Sequence, residues 1–265
     1  KIFQNFDHNE LSDPPHFLIS CGRKSVYFSV FLKRKFRSKI FNIHIQNPKV
    51  DLNQFDLVIA PTHDRIEDSN VISTDLAINH INSEIISSNV DLFRKDFSNL
   101  NFPICCILIG GKSRNYRFDR KTLEDLTLKL KNLELNNNIS LVILSSRRTD
   151  QFILDHLDNE FGNSHISWCE QKNPYIALLG LSKFIICTSD SVSMISEAIY
   201  SKKSVFIYRL KSSKKNNRIE NFINLLLDKG FVRLIPNLIE EFSHNYKNET
   251  EEVARRIHQM YIEQK

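Results

Sequence analysis

Short apolar runs alternate with longer amphipathic segments from His16 onward, a pattern typical of βαβ units around a parallel sheet. The runs have the length of strands, and the segments between them repeat apolar residues at helical spacing. The predicted strands cover residues 17–21, 40–45, 56–60, 104–109, 140–144, 165–168, 184–188 and 204–208. The predicted helices cover residues 26–36, 120–133, 150–160, 192–200, 219–229 and 249–264, with one more beginning at Tyr175.

The segment 78–100 divides the chain into two such regions. It is helical in outline but rich in serine and asparagine, and Pro103 follows it, which discourages continuation of a helix. We therefore predict an amino-terminal Rossmann-like domain at 1–100, a carboxyl-terminal one at 101–245 and a closing helix at 246–265. Val253, Ile257 and Tyr261 give that helix one apolar stripe. The predicted fold class is α/β, with two Rossmann-like, doubly wound parallel sheets.

Composition is consistent with folded domains and excludes disorder as the default. The chain has 265 residues, 41% of them hydrophobic, and no run approaches the roughly 18 apolar residues of a membrane-spanning helix. Its five cysteines lack the paired spacing of a metal site, and the histidines are scattered, so neither a metal nor a cofactor is predicted. Buried, reduced thiols indicate a cytoplasmic protein.

Two basic runs, 33–39 and 209–218, carry much of the excess of five positive charges. Such runs are most often solvated surface, and the alternatives are an anionic ligand or peripheral contact with an anionic membrane. They lack interleaved aromatic residues and belong to no recognised nucleic-acid module, so nucleic acid is not a predicted partner.

A glycine turn follows the strand at 104–109. Gly110 and Gly111 allow a tight turn and close approach to a ligand, Ser113 and backbone amides can donate to phosphate, and Lys112 or Arg114 can supply charge. The spacing matches neither a Walker loop nor a dinucleotide fingerprint. An ordinary glycine turn with solvated bases is the alternative.

Two more polar loops follow the strands at 140–144 and 184–188. In the first, Ser146, Arg147 and Arg148 can grip a phosphate or cap neighbouring carboxylates, and Thr149 is a predicted helix N-cap. In the second, Asp190 or Ser191 can cap a helix whose first-turn amides form an anion site. This loop adds the predicted nucleotide-binding residues Ser193, Met194 and Glu197, with Glu197 placed to accept from ribose hydroxyls. Capping alone would also explain its serines.

His63 and Asp64 follow the predicted strand at 56–60 in the first region. A histidine beside a carboxylate suits general-base chemistry near neutral pH, and the two are the candidate catalytic residues. A simple loop closure is the competing interpretation.

Taken together, these motifs resemble the mitochondrial fission ELM1 family. The resemblance rests on Pro61–Asp64, Ile109–Arg114, Ser146–Thr149, Asn173–Tyr175 and Thr188–Ala198, in the family's order, and spans residues 13–230. Lys112 departs from the proline of many relatives, and the family's first strand, glycine turn and helix have no counterpart before Asp13. The resemblance implies a GT-B-like fold with an incomplete amino-terminal sheet and a donor nucleotide held by the second domain.

Two functions of different classes follow. The first is binding of a nucleotide-sugar or related nucleotide between the domains, with sugar transfer as a further hypothesis. The second is a non-catalytic adaptor at a membrane surface, since the resemblance associates plant members with recruiting a dynamin-like protein to mitochondria. The sequence identifies no particular protein partner.

Overall fold

The computed structural model of the protein describes residues 14–100, 103–111, 113, 115–169, 171–214 and 217–263. The strands are β1 Phe17–Cys21, β2 Phe41–Ile45, β3 Leu57–Pro61, β4 Val71–Thr74, β5 Ile104–Ile109, β6 Tyr116–Arg117, β7 Ser140–Ser145, β8 His165–Ile166, β9 Phe184–Thr188, β10 Ser204–Tyr208, β11 Lys211–Ser212 and β12 Arg233–Leu234. The helices are α1 Arg23–Phe36, α2 Ser83–Phe93, α3 Arg120–Asn137, α4 Gln151–Phe161, α5 Tyr175–Leu181, α6 Val192–Tyr200, α7 Arg218–Asp228 and α8 Glu249–Glu263. The predicted α/β fold class is confirmed, and the strands of both main sheets pair in parallel.

The chain divides into two compact units. The amino-terminal unit consists of residues 1–76 and 249–265, and the central unit of residues 77–248. The amino-terminal unit holds a four-stranded sheet in the order β1-β2-β3-β4, and each neighbouring pair is parallel.

Helix α8 packs within the amino-terminal unit. The Glu249 carboxylate accepts hydrogen bonds from the backbone amides of Asp75 and Leu76, at 2.8 and 3.0 Å. Near the other end of the helix, the Tyr261 ring lies 4.4 Å from the ring of Phe17, measured between centroids, and Val253 is buried. The predicted apolar stripe is thus the face that docks.

A buried polar network joins β1, β2 and α1. Ser20 Oγ lies 2.8 Å from His44 Nδ1 and donates to Ser29 Oγ, which donates in turn to Asn42 Oδ1 at 2.6 Å. Burial lowers the pKa of His44 from 6.5 to about 4, because removal from water disfavours the charged imidazolium. The imidazole is therefore neutral in the folded protein near pH 7.

The central unit holds a six-stranded parallel sheet in the order β12-β10-β9-β5-β7-β8. Successive strands extend in one direction from β5 to β8 and in the other from β9 to β12, so the strand order reverses between β5 and β9. Open α/β sheets bind ligands at the carboxyl edge of such a reversal. A short antiparallel ribbon of β6 and β11, which the sequence did not predict, adds to this unit.

Helix α2 belongs to the central unit, whereas the sequence placed residues 78–100 in the first domain. It packs against α5, where Gly180 leaves space for the side chains of Ile86 and Val90. A Cβ at Gly180 would lie only 2.5 Å from a methyl carbon of each. Residues 77–100 thus belong to the central unit, in which α2 packs closely against α5.

Within the described part of the chain, no helix combines the length and the apolar character needed to cross a membrane.

Candidate functional site

The glycine turn after β5 is fixed against the end of β9. The Gly110 amide donates to Thr188 Oγ1 at 2.8 Å, and the Gly111 amide donates to Asp190 Oδ2 at 3.0 Å. Thr188 Oγ1 donates to the other carboxylate oxygen of Asp190 at 2.6 Å. A Cβ at Gly110 would fall 2.0 Å from Asp190 Oδ2, so only glycine fits this approach.

The loop after β7 presses on the same turn from its other side. A Cβ at Gly111 would fall 2.0 Å from the carbonyl oxygen of Arg148. Thr149 Oγ1 donates to the Gly110 carbonyl at 2.7 Å and lies 3.1 Å from Ser146 Oγ. Thr149 was predicted to cap a helix, but Asp150 takes that position and Thr149 instead joins two loops.

Asp190 is a buried carboxylate, with 4% of its surface exposed. Burial raises its pKa, while the bonds from Thr188 and Gly111 and the positive charge of Arg148 lower it. Sequence reasoning offered Asp190 as a helix cap or ligand contact. The structure turns its side chain toward the sheet, where it holds the glycine turn.

Ser191 caps α6, and its Oγ accepts from the Met194 amide at 3.4 Å. Ser193 is exposed in the first turn, and the Met194 side chain is half-buried. The amides of Gly110 and Gly111 already donate to Thr188 and Asp190, so in this arrangement they are not available to phosphate, and their nucleotide-binding role stays a prediction. The Met194 amide is taken by this cap, so the amides of Val192 and Ser193, which have no acceptor within their own helix, are the candidate backbone donors.

Glu197 lies further along α6. One of its carboxylate oxygens, Oε2, accepts from Tyr175 Oη at 2.6 Å. Burial raises the pKa of Glu197, which the Tyr175 hydrogen bond and the nearby His80 charge partly offset. The next residue back, Ser196, is fully buried and accepts from the Ala77 amide at 3.0 Å, which fixes the helix in place.

The remaining predicted residues are placed as follows. Arg147 and Arg148 have exposed side chains, and Ser113 accepts from the Asn115 amide at 3.2 Å. Lys112 and Arg114 lie outside the described residues. The structure therefore gathers the loops after β5, β7 and β9 at one edge.

His63 and Asp64 lie in the amino-terminal unit, in a single 3-10 turn directly after β3. Both side chains are half-buried. Their catalytic role stays a prediction.

Several cations of the basic runs have partners. The Lys33 ammonium lies 2.6 Å from an Asp56 oxygen and also donates to the Ile40 carbonyl. Arg209 donates to Asn224 and lies 3.8 Å from the Glu220 carboxylate. Lys33 and Arg209 thus interact with residues of their own units. Fewer positive charges of the basic runs are therefore available to contact an anionic membrane.

Cysteines and metal ligands give no alternative site. Cys105, Cys106 and Cys187 are buried and Cys21 and Cys169 are exposed, all as free thiols. The described residues contain no cluster of histidine, cysteine and carboxylate side chains that could hold a metal ion.

Three residues that sequence reasoning did not assign to the site contribute most to its geometry: Thr188, Thr149 and Tyr175. For Thr188, the Thr-x-Asp spacing across the end of β9 was a usable signal. Tyr175 belonged to a quoted motif, but its pairing with Glu197 joins residues 22 positions apart, and no local pattern indicates it.

Two parallel Rossmann-like units, the second with three clamped loops where its strand order reverses, define a protein with the GT-B-like fold. A UDP-GlcNAc 2-epimerase of Methanocaldococcus jannaschii, solved in complex with UDP-GlcNAc and UDP, matches it with a TM-score of 0.53 at 12% identity, over 94% of this chain and 77% of that chain. A putative UDP-N-acetylglucosamine 2-epimerase of Listeria monocytogenes gives a TM-score of 0.50 at 10% identity, over 93% and 68%. At such identities the likeness shows the fold alone.

The chain belongs to the mitochondrial fission ELM1 family, whose model matches residues 3–261. An uncharacterised protein of Rickettsia prowazekii is 27% identical over 92% of this chain and 79% of its own length. The mitochondrial fission protein ELM1 of Arabidopsis thaliana is also 27% identical, over 92% of this chain. The match covers 64% of the length of that plant relative, less than two thirds.

Proposed function

We propose that the central unit binds the diphosphate and ribose of a nucleotide-sugar at the carboxyl edge of its sheet, between β5 and β9. The observation that carries this proposal is the glycine turn fixed by Asp190 on one side and the Arg148 backbone on the other. Because glycine has no side chain, such a turn lets a ligand approach the backbone closely at the edge where open α/β sheets bind their ligands.

The groups that could donate hydrogen bonds to phosphate in this proposed site are those that have no acceptor elsewhere among the described residues. With the glycine amides and the Met194 amide occupied, phosphate oxygens would bind the amides of Val192 and Ser193, the exposed Ser193 hydroxyl and the guanidiniums of Arg147 and Arg148. A helix N-terminus favours anions through its unsatisfied amides and its dipole. Glu197 would accept from the ribose.

The epimerase of similar fold that was solved with UDP-GlcNAc and UDP makes uridine nucleotides the first ligands to test. Isothermal titration of the full chain against UDP, UDP-GlcNAc and the corresponding guanosine and cytidine diphosphate sugars is the direct measurement. A folded protein that gives no heat with any of them would refute the proposal.

Substitution of both arginines separates a phosphate site from general charge attraction. The Arg147→Ala/Arg148→Ala variant should bind UDP about tenfold or more weakly, since a hydrogen bond to a charged group contributes about 1.5–3 kcal/mol. Lys95→Ala/Lys247→Ala is the matched control, because both lysines are exposed and the change in net charge is the same. Equal losses in the two variants would indicate non-specific attraction.

Catalysis by His63 and Asp64 is the second part of the proposal. If His63 is the general base, the His63→Ala variant should bind the donor with an unchanged dissociation constant but should no longer turn it over. Turnover is measured as release of UDP, followed by chromatography. Unchanged UDP release by His63→Ala would remove His63 from the mechanism. A chain that binds liposomes of anionic lipid but no nucleotide would favour the adaptor hypothesis instead.

A further inference from the structure

Tyr175 and Glu197 form a directed pair beside the proposed phosphate site. Tyr175 is the first residue of α5, and Glu197 lies four residues after the exposed Ser193, on the same face of α6. The Tyr175 hydroxyl donates to Glu197 Oε2 at 2.6 Å, the usual length of a hydroxyl-to-carboxylate hydrogen bond.

The hydrogen bond from Tyr175 uses one oxygen of the Glu197 carboxylate, Oε2, and does not involve the other oxygen, Oε1. An ionised carboxylate offers about four acceptor positions, and Tyr175 uses one of them at Oε2. Only two side-chain torsions place the hydroxyl oxygen of a tyrosine, so the half-buried Tyr175 restricts the orientation of its partner. Glu197 itself is half-buried, so part of the residue is open to a ligand.

We infer that Tyr175 is a positioning residue that fixes Glu197 to accept hydrogen bonds from the vicinal hydroxyls of a ribose, so that the site selects ribonucleotides over deoxyribonucleotides. This inference rests on the proposed function and names a specificity device within it. Tyr175 acts through Glu197 and does not touch the ligand. A flexible glutamate would lose rotamer entropy on binding, whereas one already held by Tyr175 loses less.

The competing explanation is a bond that only fastens α5 to α6. A structural role would weaken all nucleotides alike or reduce stability. A positioning role changes the discrimination between sugars, and this difference is measurable.

The experiment is titration of the full chain with UDP, 2′-deoxy-UDP and 3′-deoxy-UDP. The wild type should bind UDP about tenfold more tightly than either deoxy form, because each lost hydroxyl removes one hydrogen bond to the Glu197 carboxylate. Tyr175→Phe should weaken the binding of UDP about tenfold and change the affinity for the deoxy forms by no more than about twofold. The ratio of UDP affinity to deoxy-UDP affinity should therefore fall close to one. Tyr208→Phe is the matched control, since it removes a similar 2.7 Å bond from a tyrosine to Asp125 on α3, and its ratio should stay at the wild-type value.

A double-mutant cycle shows that Tyr175 acts through Glu197. In a Glu197→Gln background, Tyr175→Phe should cause no further loss of UDP affinity. If Tyr175→Phe does not fold, Glu197→Asp replaces it, because the shorter side chain keeps the charge but withdraws from Tyr175, and the ratio should fall in the same way.

The outcomes separate this inference from the proposed function. A wild type that binds no nucleotide overturns both. UDP binding with a ribose preference that survives in Tyr175→Phe, or that is absent from the wild type, overturns the inference and leaves the nucleotide site standing.

Discussion

Replacing Gly111 with alanine tests whether the three loops are clamped together. The new Cβ would lie 2.0 Å from the Arg148 carbonyl oxygen, and ordinary contact begins at 3.4 Å, so the turn and the loop after β7 must separate by about 1.4 Å. Such a shift breaks the 2.7 Å bond from Thr149 to the Gly110 carbonyl. Overpacking costs about 1–3 kcal/mol and the lost hydrogen bond about 1 kcal/mol, so we expect about 3 kcal/mol of destabilisation.

Trp168 makes the measurement specific. It is the single tryptophan of the chain and lies in the central unit, so its fluorescence during urea unfolding reports on that unit. Gly230→Ala is the control, because Gly230 has a φ of +68° just after α7 and nothing within 4 Å of an added Cβ. Its cost is conformational alone, about 1–2 kcal/mol. A Gly111→Ala protein no less stable than Gly230→Ala would refute the clamp.

Three further predictions concern stability. The pKa of His44 is lowered from 6.5 to about 4 in the folded protein, so the free energy of unfolding of the amino-terminal unit should be about 3 kcal/mol higher above pH 6.5 than below pH 4. This stability is lost as the pH falls from 6.5 toward 4. His44→Gln should flatten the pH dependence, measured by urea unfolding followed by circular dichroism. For Asp190 the pH dependence of stability has the opposite sign. Its pKa is raised in the folded state, so the folded protein binds a proton more readily than the unfolded chain as the pH falls. Lowering the pH from 7 to 4 should therefore stabilise the wild type relative to Asp190→Asn, and an unchanged difference in unfolding free energy would contradict the assigned burial. Gly180→Ala should destabilise the central unit by about 1–2 kcal/mol and Val90→Ala should rescue part of this loss; additive losses would show that α2 and α5 do not meet there.

Local sequence patterns predicted most of the regular elements because each depends on neighbours in the chain. The strands at 17–21, 104–109, 184–188 and 204–208 and the helix at 192–200 lie where the structure has them. Buried parallel strands are continuous apolar runs, which are easy to recognise. The two-residue strands β6, β11 and β12 and the strand β4 were not predicted, because segments so short carry no periodicity.

The sequence by itself determined that this protein has parallel α/β architecture, that polar loops follow its strands, and which family its ordered motifs resemble. Only the tertiary structure decided which atoms of those loops remain available. The Asp190 carboxylate faces inward and accepts from the Gly111 amide, so in this arrangement it supports the glycine turn. Likewise α2 joined the central unit through Gly180, and Glu197 gained Tyr175 as its donor. Such contacts join residues far apart in sequence, and only the packing of the folded chain can specify them.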